Sequence, residues 1–146
     1  MTTSTEHDTR VPPAGPKLDT LRGNCMGAAV LLIVQFGLGI GLNLYVTLPT
    51  GKSFFATVFS SAVLAVHAIV ALALLGAAIS ALVRSVRVRR AVAFTAAGLA
   101  AILVAAGAGV SFAGHQSNGA SLTMALATAV AMFCYLAAVF SLQVRA

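Results

Sequence analysis

Four long apolar stretches, separated by short polar interruptions, dominate the chain. Between residues 23 and 83 the one ionised side chain is Lys52, and residues 91–144 carry none. A helix that crosses a bilayer needs about 20 mostly apolar residues. Four windows meet that length: 25–47, which ends before Pro49, then 54–83, 91–113 and 120–144. The second is long enough to tilt or to project a turn into water. No strand-length alternation is present, Ala and Leu outweigh β-branched residues in most windows, and a lipid-exposed backbone must satisfy its own hydrogen bonds. The pattern therefore predicts an all-α membrane protein, a four-transmembrane-helix antiparallel bundle. Residues 1–22 are polar, with three prolines between positions 11 and 16, and read as a disordered tail. That leaves residues 23–146 as a single four-helix transmembrane domain. The first apolar run exceeds the roughly 7–15 residues of a secretory signal core and lacks a small-residue cleavage pattern, so it reads as an uncleaved span. No lipidation motif is present.

Composition agrees: 60% of the 146 residues are hydrophobic and 8% charged, too few charges to cover a water-soluble core. Where the charges lie adds orientation. Arg10, Lys17 and Arg22 precede the first window, Arg84, Arg87, Arg89 and Arg90 link the second to the third, and Arg145 follows the fourth. Those eight basic residues fall on one side of the membrane and Lys52 alone on the other. By the positive-inside rule both termini are cytoplasmic, with loops 48–53 and 114–119 outside. The cluster Arg84–Arg90 is thus a topology determinant that also suits anionic lipid headgroups. Nothing in it interleaves basic with aromatic residues or matches a groove-reading motif, so nucleic acid is not an expected partner.

Helices in lipid associate through close packing of small residues and through scattered polar contacts. The third window offers Ala93, Ala97, Ala101, Ala105 and Gly109 at four-residue spacing, which predicts its packing face. Shorter rows occur in the others: Gly37 and Gly41; Ala73, Ala77 and Ala81; Ser121, Ala125 and Ala129. Cys25, at the inner end of the first window, and Cys134, ten residues from Val144, differ in expected depth by roughly 15 Å. That gap is too large for a disulfide.

Polar side chains inside a membrane are expensive and usually face the bundle or a cavity. They are few here: Gln35, Asn43, His67 and Tyr135, besides Ser and Thr that can bond back to their own helix. His67 lies 13 residues from Phe54 and 16 from Val83, near the midplane of a span covering 54–83. Its neighbours on that face, including Val63, Leu64, Ala71 and Leu74, are apolar. Three readings follow. The imidazole bonds across to Gln35 or a carbonyl and sets helix register; it ligates a haem or metal; or it relays protons in a small transporter.

The second window, from Ser60-Ser61-Ala62-Val63-Leu64-Ala65-Val66-His67 through Gly76, resembles the His-bearing helices of four-helix haem membrane proteins, such as the b561 cytochromes and haem A synthase. The resemblance covers one helix and implies haem b held by His67. Those families supply a second axial His at matching depth, whereas here His115 lies roughly 20 Å away in expected depth. Met132, 12 residues into the fourth window, is the depth-matched alternative for a His–Met pair, or else an ordinary filler of core gaps. The whole chain also resembles small membrane proteins of high-GC actinobacteria in its Ala, Val and Arg bias, which implies a bacterial plasma membrane.

Catalysis finds no constellation. The spans contain no Asp or Glu, Thr50-Gly51-Lys52-Ser53 lacks the upstream glycine of a phosphate loop, and Gly109–Gly114 lacks the setting of a nucleophile elbow. Ser53 instead suits a helix N-cap. The expected role is an accessory or structural subunit, without enzymatic activity, that contacts membrane lipids and packs against other membrane proteins or itself. The alternatives are haem-based electron transfer and proton-coupled transport, both through His67.

Overall fold

The computed structural model describes residues 15–45, 56 and 58–143. They form four helices long and apolar enough to cross a membrane: α1 (Pro16–Tyr45), α2 (Ala62–Val88), α3 (Val92–His115) and α4 (Asn118–Gln143). The chain is a multi-pass membrane protein with an all-α, four-helix antiparallel bundle. Each helix packs beside its neighbours in sequence, and α1 closes the ring against α4.

Two helix starts differ from the sequence expectation. α1 begins at Pro16, so residues 16–22 belong to the bundle and not to a tail. Proline at the first helical position gives up an N–H that has no intrahelical partner anyway, and Asp19 sits in the first turn where the helix dipole favours a carboxylate. Leu18 and Leu21 carry the inward face of α1 into this turn, and Leu21 is fully buried. Residues 1–14 lie outside the described residues, as do loop 48–53, with Lys52 and the Ser53 cap, and Arg145. α2 begins at Ala62, eight residues later than the apolar window. Phe59 and Ser60 form a turn, and Ser61 takes the extended N-cap conformation. Serine competes for its own backbone in non-helical conformations, so a Ser-Ser pair is a natural place to start a helix.

The links are tight. α2 ends in a Schellman arrangement: the Arg89 amide donates to the Val86 carbonyl (3.2 Å) and the Arg90 amide to the Ser85 carbonyl (3.1 Å). Arg89 and Ala91 both take the left-handed conformation, at φ 53° and 56°. At the other end Gln116, also left-handed, and Ser117 suffice, and the Ser117 hydroxyl caps α4 by accepting from the Ala120 amide.

Inward positions recur at alternating steps of three and four residues on every helix. On α1 they are 18, 21, 25, 28, 32, 35, 39 and 42; on α2, 64, 67, 71, 74, 78, 81, 85 and 88; on α3, 91, 95, 98, 102, 105, 109 and 112; on α4, 121, 124, 128, 131, 135, 138 and 142. A 3.5-residue repeat keeps a seam facing its partners, as in coiled coils. This corrects the small-residue rows. Steps of four advance about 40° around a helix of 3.6 residues per turn, so such a row drifts off the seam. The row on α3 starts outside the bundle, with Ala93 and Ala97 exposed, and ends inside at Ala105 and Gly109. The buried face of α3 is Thr95, Gly98 and Ile102. Gly37, Ala73 and Ala129 are outward for the same reason.

Candidate functional site

Helix register follows from cross-helix contacts. Asn24 bonds Ser80 and Gln35 bonds His67 between α1 and α2; Ser85 bonds Thr95 between α2 and α3; Gly98 faces Tyr135 and Gly109 faces Met124 between α3 and α4. These pairs fix what lies level with what.

His67 stands on the inward seam of α2, only five residues past Ala62 and therefore about 7.5 Å from that helix end. It is nearer the helix end opposite the arginines than the midplane, because α2 starts later than its apolar window. Its Nε2 lies 3.0 Å from Nε2 of Gln35 on α1. The bond across to Gln35, one of the three sequence readings, is present in the structure. An amide NH2 only donates, so this placement makes the imidazole Nε2 the acceptor and leaves the ring neutral, with its proton on Nδ1. Imidazole Cε1 packs 3.6 Å from where a Cβ would sit on Gly39. Two atoms of the pair, Gln35 Oε1 and His67 Nδ1, are buried and have no hydrogen-bond partner.

The other sequence candidates scatter. Asn43 is exposed near the C-terminal end of α1. Tyr135 is fully buried in the C-terminal half of α4, its ring against Gly98 and its hydroxyl unpartnered. Met132 packs against the hydrophobic core at the level of Ile79 on α2, twelve residues or roughly 18 Å below His67. The His67–Met132 depth match rested on a second span starting at Phe54 and does not hold. His115, in contrast, comes level with His67 to within about one half-turn, correcting the 20 Å separation. It nevertheless points away: it is exposed, and its Nδ1 donates to the Ser111 carbonyl of its own helix (3.3 Å). With His67 Nε2 engaged by Gln35 and neither Met132 nor His115 opposite it, these residues do not fit the haem that the resemblance implies. Among the described residues no group of three His, Cys, Asp or Glu stands together as a metal site.

Cys25 and Cys134 also move. Because α1 begins at Pro16, Cys25 lies nine residues in, close to the level of Met132 and hence of Cys134. Both are buried free thiols. The cluster Arg84, Arg87, Arg89 and Arg90 surrounds the α2–α3 link, and Lys17 and Arg22 sit at the same end; the opposite end of the described bundle has no Lys or Arg.

Sequence reading missed a second polar layer near the Arg-bearing end. Asn24 Nδ2 donates to Ser80 Oγ (3.0 Å), to which Arg84 Nε also donates (3.5 Å). Ser85 Oγ and Thr95 Oγ1 lie 2.7 Å apart, both fully buried. Ser85 and Thr95 also reach carbonyls of their own helices, at Leu82 and at Ala91 and Val92. The 3.5-residue repeat would have placed Ser85 and Thr95 inward. Comparison with family models, with curated proteins and with solved structures finds no match.

Proposed function

We propose that this chain is an accessory or structural subunit of a membrane assembly in the bacterial plasma membrane, with both termini cytoplasmic, and that it acts by binding and not by catalysis. The observation that carries this reading is the outward face of α3. Ala93, Ala96, Ala97 and Ala100 are all exposed there, although small residues at such spacing are what lets helices approach closely in lipid. The bundle does not use them, while Leu72, Phe133 and Phe140, at 63–70% exposure, give other faces the bulky surface that lipid chains cover. The four arginines at the α2–α3 link anchor this end at an anionic leaflet.

Introducing a cysteine at Ala97, with Cys25 and Cys134 replaced by serine, tests this in native membranes. Crosslinking from position 97 is expected to capture a second copy or another membrane protein, and Ala97→Leu is expected to abolish complex formation in mild detergent. A lone monomer in detergent, with no adduct in membranes, overturns the assignment.

A further inference from the structure

Asn24 Nδ2 and Arg84 Nε both donate to Ser80 Oγ where α1 meets α2. The first of these bonds sets Asn24 level with Ser80, and because the two helices run antiparallel it brings Lys17 about level with Arg87. Lys17 lies seven residues before Asn24, and Arg87 lies seven after Ser80. Seven residues wind a helix of about 3.6 per turn almost twice round, so each cation returns to the face of its polar neighbour. Lys17, Arg84 and Arg87 therefore flank one edge of the α1–α2 pair, and all three are exposed. Arg22 shares this end of the bundle but stands about 200° round α1 from Asn24, off that edge.

Among the described residues the chain does not answer this charge itself. Asp19 is the single carboxylate there, and it points about 200° round α1 from Lys17. The Arg84 guanidinium gives Ser80 only its Nε–H, which leaves both terminal NH2 groups to a ligand. Its bond to Ser80 also folds the side chain back along α2, toward the middle of the bundle. In that direction the same edge carries Gly27 on α1, then Ala77 and Ala73 on α2. Gly27 and Ala73 are exposed, Ala77 is half-buried, and a Cβ on Gly27 would meet nothing within 4 Å. The edge is thus basic at the end of the bundle and poor in side chains just below.

We propose that this edge binds one anionic phospholipid, its phosphodiester among Lys17, Arg84 and Arg87 and an acyl chain along Gly27, Ala77 and Ala73. This rests on the reading that puts the Arg-bearing end at an anionic leaflet, and it assigns the lipid to the α1–α2 edge and not to the α2–α3 link. Guanidinium N–H pairs match phosphate oxygens, and lysine adds a compact charge. Basic recesses between membrane helices on the cytoplasmic side take such headgroups. A zwitterionic lipid would bring its own ammonium up to these cations, so a headgroup without one is preferred. Small residues let the chain lie close to the helix backbones.

The full chain in mild detergent is titrated with phosphatidylglycerol and, separately, with phosphatidylcholine, and bound lipid is counted by native mass spectrometry. One phosphatidylglycerol is expected to bind at least about tenfold more tightly than phosphatidylcholine. Lys17→Gln and Arg84→Gln are each expected to lose most of that preference, whereas Arg22→Gln, which removes the same charge at the same end, keeps it. Gly27→Leu is expected to lose the bound lipid with every charge in place and the helical melting curve retained, since a side chain has room there. The deacylated headgroup, glycerophosphoglycerol, is expected not to displace the lipid. Equal binding of phosphatidylcholine, an equal loss on Arg22→Gln, binding undiminished by Arg84→Gln or Gly27→Leu, or displacement by the deacylated headgroup overturns the proposal. The subunit reading stands or falls separately, on crosslinking from position 97.

Discussion

At the residue scale, one glycine decides how α3 meets α4. A Cβ on Gly98 would lie 2.7 Å from Cε2 of Tyr135 and 3.1 Å from Cζ, and the ring has no room to retreat because Tyr135 is fully buried. Alanine favours a helix over glycine by about 1 kcal/mol, yet overpacking a filled core costs about 1–3 kcal/mol. We expect Gly98→Ala to lower the unfolding free energy, measured by denaturant titration in detergent, by about 1 kcal/mol after the helix gain is deducted. The tyrosine hydroxyl itself is buried without a partner. Tyr135→Phe removes that atom and keeps the ring, so the same titration should show stability unchanged or raised by up to about 1–2 kcal/mol. A loss on Tyr135→Phe would mean that the hydroxyl has a partner in the membrane.

At the scale of elements, α1 and α2 are clasped twice, at Asn24–Ser80 and at Gln35–His67, with apolar positions such as Leu32 and Leu74 between. Two polar clasps at different heights define register better than an apolar seam, which can slide by a heptad at small cost. Replacing one partner strands the other in a low-dielectric setting, whereas replacing both removes the problem. Gln35→Leu and His67→Leu are each expected to cost about 0.6–1.7 kcal/mol, the range for interhelical bonds in membranes. The double variant should cost clearly less than the two singles together in a double-mutant cycle. Strict additivity would show that the two side chains do not interact.

At the scale of the molecule, charge sets orientation and packing sets shape. All Lys and Arg of the described helices and links lie at one end, the end that the positive-inside rule expects on the cytoplasmic side. Changing Arg84, Arg87, Arg89 and Arg90 together to glutamine, while adding three lysines to loop 48–53, should populate the inverted orientation in a C-terminal reporter fusion. An unchanged reporter would leave orientation to other determinants. The buried residues of the described helices run from this end to about the middle of the bundle, and the far end is packed by partly buried side chains.

Four spans in an all-α bundle were legible from the chain alone, because a lipid environment forces each apolar run of sufficient length to satisfy its backbone as a helix. The Gln35–His67 contact was legible as one of three readings. Helix starts were not, since an apolar run does not say where the chain turns inside it: the Ser60-Ser61 break moved His67 toward the end opposite the arginines and separated it from Met132. The buried start of α1 likewise brought Cys25 to the level of Cys134. Nor did four-residue rows of alanine reveal which face packs; only the seams formed by four helices together select Thr95 and Gly98 over Ala93 and Ala97. Hydropathy is a property of each segment and is written in the sequence, whereas depth and facing are relations between segments and exist only once they are packed.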